Sequence, residues 1–491
     1  MDELMAQRVA KLDALREMGV DPYPPRAVRT HTAKDVNELV YGLAEGNNEA
    51  AGVQVDVAGR VVARRDMGKA TFIDLQDGSG RIQVLLRQNQ LGDALYESLR
   101  LIDLGDFLGA HGTPMRTRTG QPTVAATSWT MLTKALHAPP EKYHGLSDME
   151  ARQRRRYLDL MANEETRRTF TIRSKVISSI RRFLDSRGFL EVETPILQQS
   201  EGGAAAKPFL THFNALDEER VLRISLELYL KRLLIGGFER VYEIGRNFRN
   251  EGMSFKHNPE FTMIETYEAY ADYNDVAHMV EEMVSSVALE VLGSTKVAFR
   301  DREIDLAPPW RRVTFLDAMR EYGGPDLVEF GDAESLRVEL LRRGLVVAPT
   351  AGYGKLADEA MSHYIEPKLL QPTFLLDYPV ELSPLAKRKP GNDRLVERFE
   401  CFIGGFEFGN AYTELNDPLE QRARLGDQLV LKAAGDDEVE LVDEDFLFAL
   451  EHGMPPTGGF GMGIDRLIML FTGQTSIREV ILFPPLKTLK E

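Results

Sequence analysis

"RNFRNEGMSFKHNPEFTMIE", residues 246–265, sets three cations, a histidine and three carboxylates between two strand-like stretches. If "EFTMIETYEAY" is a strand, its period of two puts Phe261, Met263, Glu265 and Tyr267 on one face. An aromatic ring, a carboxylate and a phenol in file make a poor core and suit the wall of a site. Arg249 and Glu251 stand near the start of the intervening loop, and His257 precedes the second strand. Arginine's planar fork matches phosphate oxygens better than lysine's point charge does. On its own the stretch also fits a surface ion-pair cluster, which adds little stability.

Two constellations downstream have the same character. In "FECFIGGFEFGNAYTELND", residues 399–417, Glu400 and Glu407 flank a Gly-Gly turn, and Asn410, Tyr412 and Glu414 share a strand face. Two carboxylates without histidine or cysteine form a hard-oxygen pattern suited to Mg²⁺, an ion that generally brings polyphosphate with it. Standing alone, they would read as exposed glutamates on a sheet. In "GGFGMGIDRLIMLFTG", residues 458–473, four glycines strip side chains from a strand and let a ligand or backbone approach closely. A helix then starts near Asp465, with Arg466 in its first turn. The segment has neither the glycine spacing of a dinucleotide fingerprint nor the GK[ST] of a P-loop. The arginine directly after it favours an anion site over tight packing.

The chain around these segments has 491 residues, enough for two or three domains. A net charge of −16 argues against indiscriminate nucleic-acid binding. The acid is uneven: "GDDEVELVDED" at 435–445 carries seven carboxylates and reads as a solvated loop, whereas "RQRRRYLDL" at 152–160 could hold a polyanion locally. Cys401 is the only cysteine, so no internal disulfide can form and a reducing cytoplasm is the expected compartment. By strand parity it points away from Glu400, as a small core residue. No apolar run is long enough to span a bilayer, so no membrane partner is expected. The N-terminus reads as an amphipathic helix with Leu4, Val9, Leu12 and Leu15 on one side, not as a secretory signal. His31, His111 and His144 lack clustered partners of metal-ligand type.

Residues 53–134 alternate in short strands, and "DGSG" at 77–80 signals a hairpin. A small barrel of the oligonucleotide-binding fold fits best. Thr71, Ile73 and Leu75 face inward in one strand, and Ile82, Val84 and Leu86 in the next. Phe72 and Gln83 therefore share the polar face, either as a half-covered aromatic under a loop or as a base-stacking platform beside an amide that reads base edges. The expected domains are a helix and barrel at 1–140, a linker at 141–167 and a larger domain at 168–491. The larger domain opens with a helix ended by Gly188 and a strand "FLEVETPIL" stopped by Pro195. Strand-rich pieces cluster at 240–270, 373–414 and 457–463, which suits an α+β fold with a mostly antiparallel sheet flanked by helices.

Together, "GFLEVETPIL", "FRNEG…HNPEF" and "GFGMGIDR" resemble motifs 1, 2 and 3 of class II aminoacyl-tRNA synthetases, in order and at fitting separations. Within that class, "EGGAAAKPF" (201–209), "LRISLELYLKRLL" (222–234), "EFTMIETYEAYADY" and "NAYTELND" resemble lysyl-tRNA synthetases of bacterial type, and the likeness covers nearly the whole chain. It implies an enzyme, a lysine–tRNA ligase, that joins L-lysine to tRNA(Lys) through a lysyl-adenylate and releases AMP and pyrophosphate. It also implies ATP as substrate, Mg²⁺ as cofactor with up to three ions per site, and a homodimer with Pro195 near its axis.

The resemblance implies a role for each site residue. Arg249 would hold the α-phosphate and the amino-acid carboxylate, and Glu251 the adenine amino group. Phe261 would stack on one face of adenine, with Arg466 under the other and reaching the γ-phosphate. His257 and Asn258 would line the nucleotide side, and Glu400 and Glu407 would carry the metal. Arg249 and Arg466 are thus the expected catalytic residues. Glu265, Tyr267 and Glu414 would converge on the substrate's side-chain end, with Asn410 and Tyr412 on the same face. Glu227 and the backbone near Gly203 would meet its α-amino group. Carboxylates and a phenol around one point select a primary ammonium, whereas an aspartate pocket would need a cation there. Phe72 and Gln83 occupy the anticodon-reading positions. Lys207 stands where the family usually has arginine, and Gln121 where it commonly has glutamate. The rivals are aspartyl- or asparaginyl-tRNA synthetases, which the paired glutamates disfavour, and lysine–protein ligase paralogues, which lack the barrel. A synthetase domain without activity would be expected to lose Arg249, Glu407 or Arg466, and all three are present.

Overall fold

Period-two alternation closes a barrel in the N-terminal part of the chain. The computed structural model describes residues 2–140, 148–200, 202–433 and 442–488. Residues 141–147 of the expected linker (141–167), His144 among them, and most of the acidic segment (435–441) lie outside the described residues. Two compact units part at Asp148. The second comprises Asp148–Arg156 and the chain from Asn163 onward, and the first includes Tyr157–Ala162.

In the first unit, β1 (Val55–Met67), β2 (Ala70–Gln76), β3 (Arg81–Arg87), β4 (Phe107–Arg116) and β5 (Pro122–Thr133) close in the order β1-β2-β3-β5-β4. Val57, Ile73, Leu75, Ile82 and Val84 fill its interior. At Gly112 a Cβ would lie 2.1 Å from the Ala125 carbonyl oxygen, so only glycine admits that strand crossing. The turn between β2 and β3 is held by Asp77, whose Oδ1 accepts from the Ser79 and Gly80 amides. The N-terminal helix Glu3–Glu17 buries Leu12 and Leu15, but Leu4 is exposed and Val9 half-buried, so the expected apolar stripe covers only its C-terminal half.

The second unit is built on a nine-stranded sheet. Its strands are β6 (Leu190–Glu191), β10 (Arg240–Phe248), β11 (Glu260–Ala269), β14 (Arg311–Thr314), β15 (Thr373–Pro379), β16 (Arg388–Lys389), β17 (Asn392–Ile403), β18 (Phe406–Thr413) and β19 (Thr457–Gly463). The order is β14-β15-β17-β18-β19-β11-β10-β6, with β16 beside β17; only the β14/β15 and β10/β6 pairs are parallel. Small sheets of β7 (Leu197–Gln198), β8 (Leu210–Phe213) and β9 (Glu218–Leu222), and of β12 (Lys296–Phe299) with β13 (Arg302–Asp305), flank it. The strand expected over "FLEVETPIL" shrinks to β6 and β7. Thr194 turns its amide and hydroxyl to Glu243 Oε2, and Pro195 has no amide to continue the ladder.

Helices Glu164–Asp185, Tyr273–Leu292 and Ile464–Thr472 cover one face of the sheet, packing Val176, Ile180, Met283, Val284 and Ile468 into one core. Asn163 caps the first helix, and Gly188 at φ +77° turns the chain after it. Asp272 and Asp275 form a capping box on the second. Ile264, Phe460, Met462 and Cys401 face this core, so the alternate residues of β11 and β19 face the other way. In β18 the register slips by one between Gly409 and Glu407, with Phe408 as the extra residue. That bulge lets Glu407 and Asn410, three residues apart, both reach the open face.

Candidate active site

The open face of the sheet lines a cavity of about 580 Å³. At one end, Glu265 is fixed by neighbours from two elements. Its Oε1 accepts from the Ser225 hydroxyl and the Leu226 amide, both at 3.1 Å, and its Oε2 from the Tyr267 hydroxyl at 3.1 Å. Glu414 enters just after β18, with its amide bonded to the Thr457 carbonyl oxygen at 2.8 Å. Its Oε2 lies 2.5 Å from Lys231 Nζ as an ion pair, and both of its oxygens are buried with no hydrogen-bond partner. An orphaned carboxylate oxygen beside the cavity is an acceptor in want of a donor. Glu227, at the start of helix Glu227–Ile235, supplies a third buried carboxylate. Gly203 stands against it: a Cβ there would lie 3.1 Å from Glu227 Cβ and from Ser225 Oγ.

Burial is the first cause that raises Glu265 and Glu414. Glu265 is pushed up to about 7, with the Glu227 charge adding and the Leu226, Tyr267 and Ser225 hydrogen bonds opposing. Glu414 is pushed up to about 8 by burial and by Glu227 and Glu265, against the pull of Lys231. An ammonium group placed among them would reverse that repulsion.

The glycines of β19 make the room. A Cβ at Gly459 would lie 1.9 Å from Glu414 Oε1 and 2.6 Å from Tyr267 Cε1. At Gly461 it would meet Glu265 Cγ at 3.4 Å.

Cations gather at the other end. Arg249, just past β10, donates from Nε to the Ile224 carbonyl at 3.3 Å and holds its Cζ 5.3 Å from the centre of the Phe261 ring. Arg466, in the first turn after β19, donates to the Glu407 carbonyl oxygen at 2.6 Å and lies 3.3 Å from Glu407 Oε2. Both arginines line the cavity with Phe261. His257 and Asn258 line it too; Asn258 Nδ2 donates to the Glu260 carbonyl at 2.5 Å, and its Oδ1 is buried without a partner. His257 is exposed at the cavity mouth, and partial desolvation with the charges of Arg466 and Lys256 lowers its imidazole to about 4. Glu251 is exposed at the rim, accepting from the Lys207 amide at 3.4 Å.

Glu407 and Glu400 differ in placement. Glu407 is on the cavity wall, held below the usual carboxylate range by Arg466 and Arg398 despite burial. Glu400 is set back from the wall; Arg398 Nη2 donates to its Oε1 at 2.5 Å and Tyr378 hydroxyl to its Oε2 at 2.9 Å. Burial, relieved by Arg398 and reinforced by the Glu407 charge, pushes Glu400 up to about 7. Two hard-oxygen donors that repel each other beside an arginine-rich cavity fit Mg²⁺ in chemistry; Glu407 would offer its carboxylate from the wall, whereas both Glu400 oxygens already accept, from Arg398 and Tyr378. Among the described residues, no group of three or more histidine, cysteine, aspartate or glutamate residues could hold a metal ion.

The comparisons with known proteins can be set on this geometry. Residues 148–487 match the family described as "tRNA synthetases class II (D, K and N)" and residues 55–132 the "OB-fold nucleic acid binding domain". Lysine–tRNA ligase from Dehalococcoides mccartyi is 54% identical over 485 residues, covering 99% of this chain and 97% of that protein. The enzyme of the same name from Roseiflexus castenholzii is 53% identical, and that from Moorella thermoacetica 49%, each over 99% of its own length. The chain belongs to the lysine–tRNA ligase family of class II tRNA synthetases. Its first unit is accordingly an OB-fold barrel, and its second the class II fold with an antiparallel-rich sheet.

Within this family frame, several residues of the site carry no local signal in the sequence. Arg398 bridges Glu400, Asn410 Oδ1 (3.0 Å) and Ser383 Oγ (2.8 Å), and Asn410 passes the chain on to the Tyr412 hydroxyl at 2.6 Å. Lys231 is fully buried behind Glu227 and Glu414. Asp358, on helix Tyr353–Tyr364, joins the wall with its carboxyl raised by burial. In the barrel, Phe72 is half-buried on the outer face, and Gln83 Oε1 accepts from the Thr123 hydroxyl at 2.9 Å. His111 pairs with Asp56 at 2.9 Å and His31 with Thr30 at 2.9 Å, ordinary hydrogen-bonded histidines.

Proposed function

We propose that this chain attaches L-lysine to tRNA(Lys) at the expense of ATP. A lysine carboxylate oxygen attacks the α-phosphorus, the bond to the bridging oxygen breaks, and pyrophosphate leaves. A terminal ribose hydroxyl of the tRNA then attacks the carbonyl of the lysyl-adenylate and AMP leaves. No side-chain nucleophile enters either step; orientation and charge neutralisation suffice. Arg249 binds the amino-acid carboxylate and α-phosphate, Arg466 the far phosphate, and Phe261 the adenine ring. Glu400 and Glu407 would hold Mg²⁺, which supplies further neutralisation of the phosphates.

The observation that carries lysine is the convergence of Glu227, Glu265 and Glu414 with the Tyr267 phenol on one buried end of the cavity. An aspartate or asparagine side chain there would meet negative charge and strand it unpaired. The test is amino-acid-dependent pyrophosphate exchange across all twenty amino acids, with and without Mg²⁺. Lysine alone should support exchange, and only with the metal; exchange with aspartate or asparagine in its place would refute the reading.

In this reading residues 1–140 bind the anticodon through Phe72 and Gln83, residues 168–491 activate the amino acid, and 141–167 link them. A barrel that reads bases also separates the chain from lysine–protein ligases. Leu190, Ile196, Leu197, Leu210 and Phe213 are exposed around Pro195, an apolar face that a second copy would cover as a homodimer. A hydrodynamic mass near one chain would refute the dimer. The single cysteine, buried and unpaired, suits the reducing cytoplasm. Among the described residues no helix is long and apolar enough to cross a membrane.

A further inference from the structure

Lys231 takes no part in the reaction described above, yet its buried ammonium sits against two of the carboxylates assigned to the substrate's amine groups. It lies one helical turn after Glu227, with a side chain that reaches no solvent. Its Nζ is 2.5 Å from Glu227 Oε1 and 2.5 Å from Glu414 Oε2. The Phe446 ring of helix Glu444–Glu451 closes off the other side, its centre 5.8 Å from Nζ. Glu227 and Glu414 line the cavity and Lys231 does not, so the ammonium stands behind the two carboxylates.

Surface pairs at i,i+4 are common and weak, but this one is dry and reaches Glu414 on a second element. Three buried carboxylates crowd this end: Glu227, Glu265 and Glu414. Like charges this close cannot all ionise unaided. One resident ammonium leaves two negative charges uncompensated, the number of ammonium groups on lysine, whose own carboxylate goes to Arg249. We propose that Lys231 is a positioning residue for substrate recognition: it holds the Glu227 and Glu414 side chains in place and trims the cavity's charge to that of a diamino acid. The proposal rests on the lysine reading of the cavity.

The charged groups facing this cluster fix the sign of the pH effect. Glu227 and Lys231 come from one helix, Glu265 and Tyr267 from β11, and Glu414 from the end of β18, with Arg249 beyond Glu265. The neighbouring Arg232 turns away to Asp443 and Asp445, at 2.9 and 3.1 Å. Removing Lys231 takes away the cation that opposes protonation of Glu414. The ionised, ammonium-binding form then appears only at higher pH.

The experiment is lysine-dependent pyrophosphate exchange by the full chain and its Lys231→Met and Lys231→Arg variants, from about pH 6 to about pH 9. For Lys231→Met the expected result is a lysine KM raised at least about tenfold and an acid limb of kcat/KM moved up by about one pH unit. Its KM for ATP should stay within about twofold, and Lys231→Arg should keep the limb of the parent. A Lys231→Met enzyme whose acid limb does not move, or a Lys231→Arg enzyme whose limb moves as far, overturns the proposal. Should Lys231→Met fail to fold, E227Q/K231M deletes one charge of each sign: its folding supports the balance, and its failure to fold overturns it. A parent chain without lysine-dependent exchange would instead sink the underlying reading of the cavity.

Discussion

Tyr267 donates its hydroxyl to Glu265 two residues earlier on the same strand, at 3.1 Å, so the phenol and carboxylate present themselves to the cavity as one unit. Both are buried, and each limits the other's rotation. Replacing Tyr267 by Phe leaves Glu265 Oε2 short of a donor and removes an oxygen that would accept from the substrate ammonium. A loss of about 1–3 kcal/mol is expected. It should appear as a raised KM for lysine in pyrophosphate exchange, with the KM for ATP unchanged.

Gly459 keeps the amine end open. A methyl group there would collide with Glu414 Oε1 and Tyr267 Cε1, at 1.9 and 2.6 Å, so the groups assigned to the amine would have to shift. Gly459→Ala should bind ATP normally and lose lysine activation by roughly 100-fold or more, the scale of a misplaced binding group. Equilibrium ATP binding and lysine-dependent exchange, measured side by side, check this. Loss of ATP binding as well would mean that the glycine serves the whole sheet.

Two raised carboxyls tie lysine binding to pH. Glu265 at about 7 and Glu414 at about 8 bind protons in the empty folded chain that the unfolded chain has already released. The stability they contribute is therefore present at low pH and lost as pH rises through 7 and 8. Lysine binds the ionised form and expels those protons. The melting-temperature increase given by saturating L-lysine should accordingly grow between about pH 6 and about pH 8.5. A lysine-induced shift that is flat or falls over that range would contradict the assignment.

Phe72 carries the barrel's side of the account. Its ring is half-exposed on the outer face while Ile73 and Leu75 beside it are fully buried, so its removal should leave the barrel core intact. Phe72→Ala should raise the KM for tRNA by about 10-fold, the worth of one base-stacking contact. Lysine-dependent pyrophosphate exchange should be unchanged. Equal losses in both assays would give the ring a structural role.

How much of this was legible follows from which interactions are local. Parity along "EFTMIETYEA" places Phe261, Glu265 and Tyr267 on the cavity side because a strand's faces alternate whatever surrounds it. The glycines of β19 and the helix after them are equally local signals. Simple alternation does not lead from Glu407 to Asn410, since the bulge at Phe408 depends on β17 being one residue shorter there. Lys231 in "LELYLKRLL" has the look of a solvated helix lysine; its burial is decided by Glu414 and Phe446, more than 180 residues away in the chain. Arg398 in "VERFECF" likewise reads as one of several alternating charges until Glu400, Asn410 and Ser383 close around it. The brevity of β6 and β7 reflects Thr194 preferring Glu243 over the ladder, a choice made by a residue on another strand.

The central claim is that a diamino acid and a triphosphate occupy opposite ends of one cavity, separated by the β10–β11 hairpin's own side chains. A crystal structure of the full chain with L-lysine and a non-hydrolysable ATP analogue tests it most directly. The predicted result is the lysine side-chain ammonium against Glu265, Tyr267 and Glu414, the lysine carboxylate on Arg249, and the phosphates reaching Arg466. Lysine bound away from Glu414, or phosphates seated beside Glu265, would contradict it.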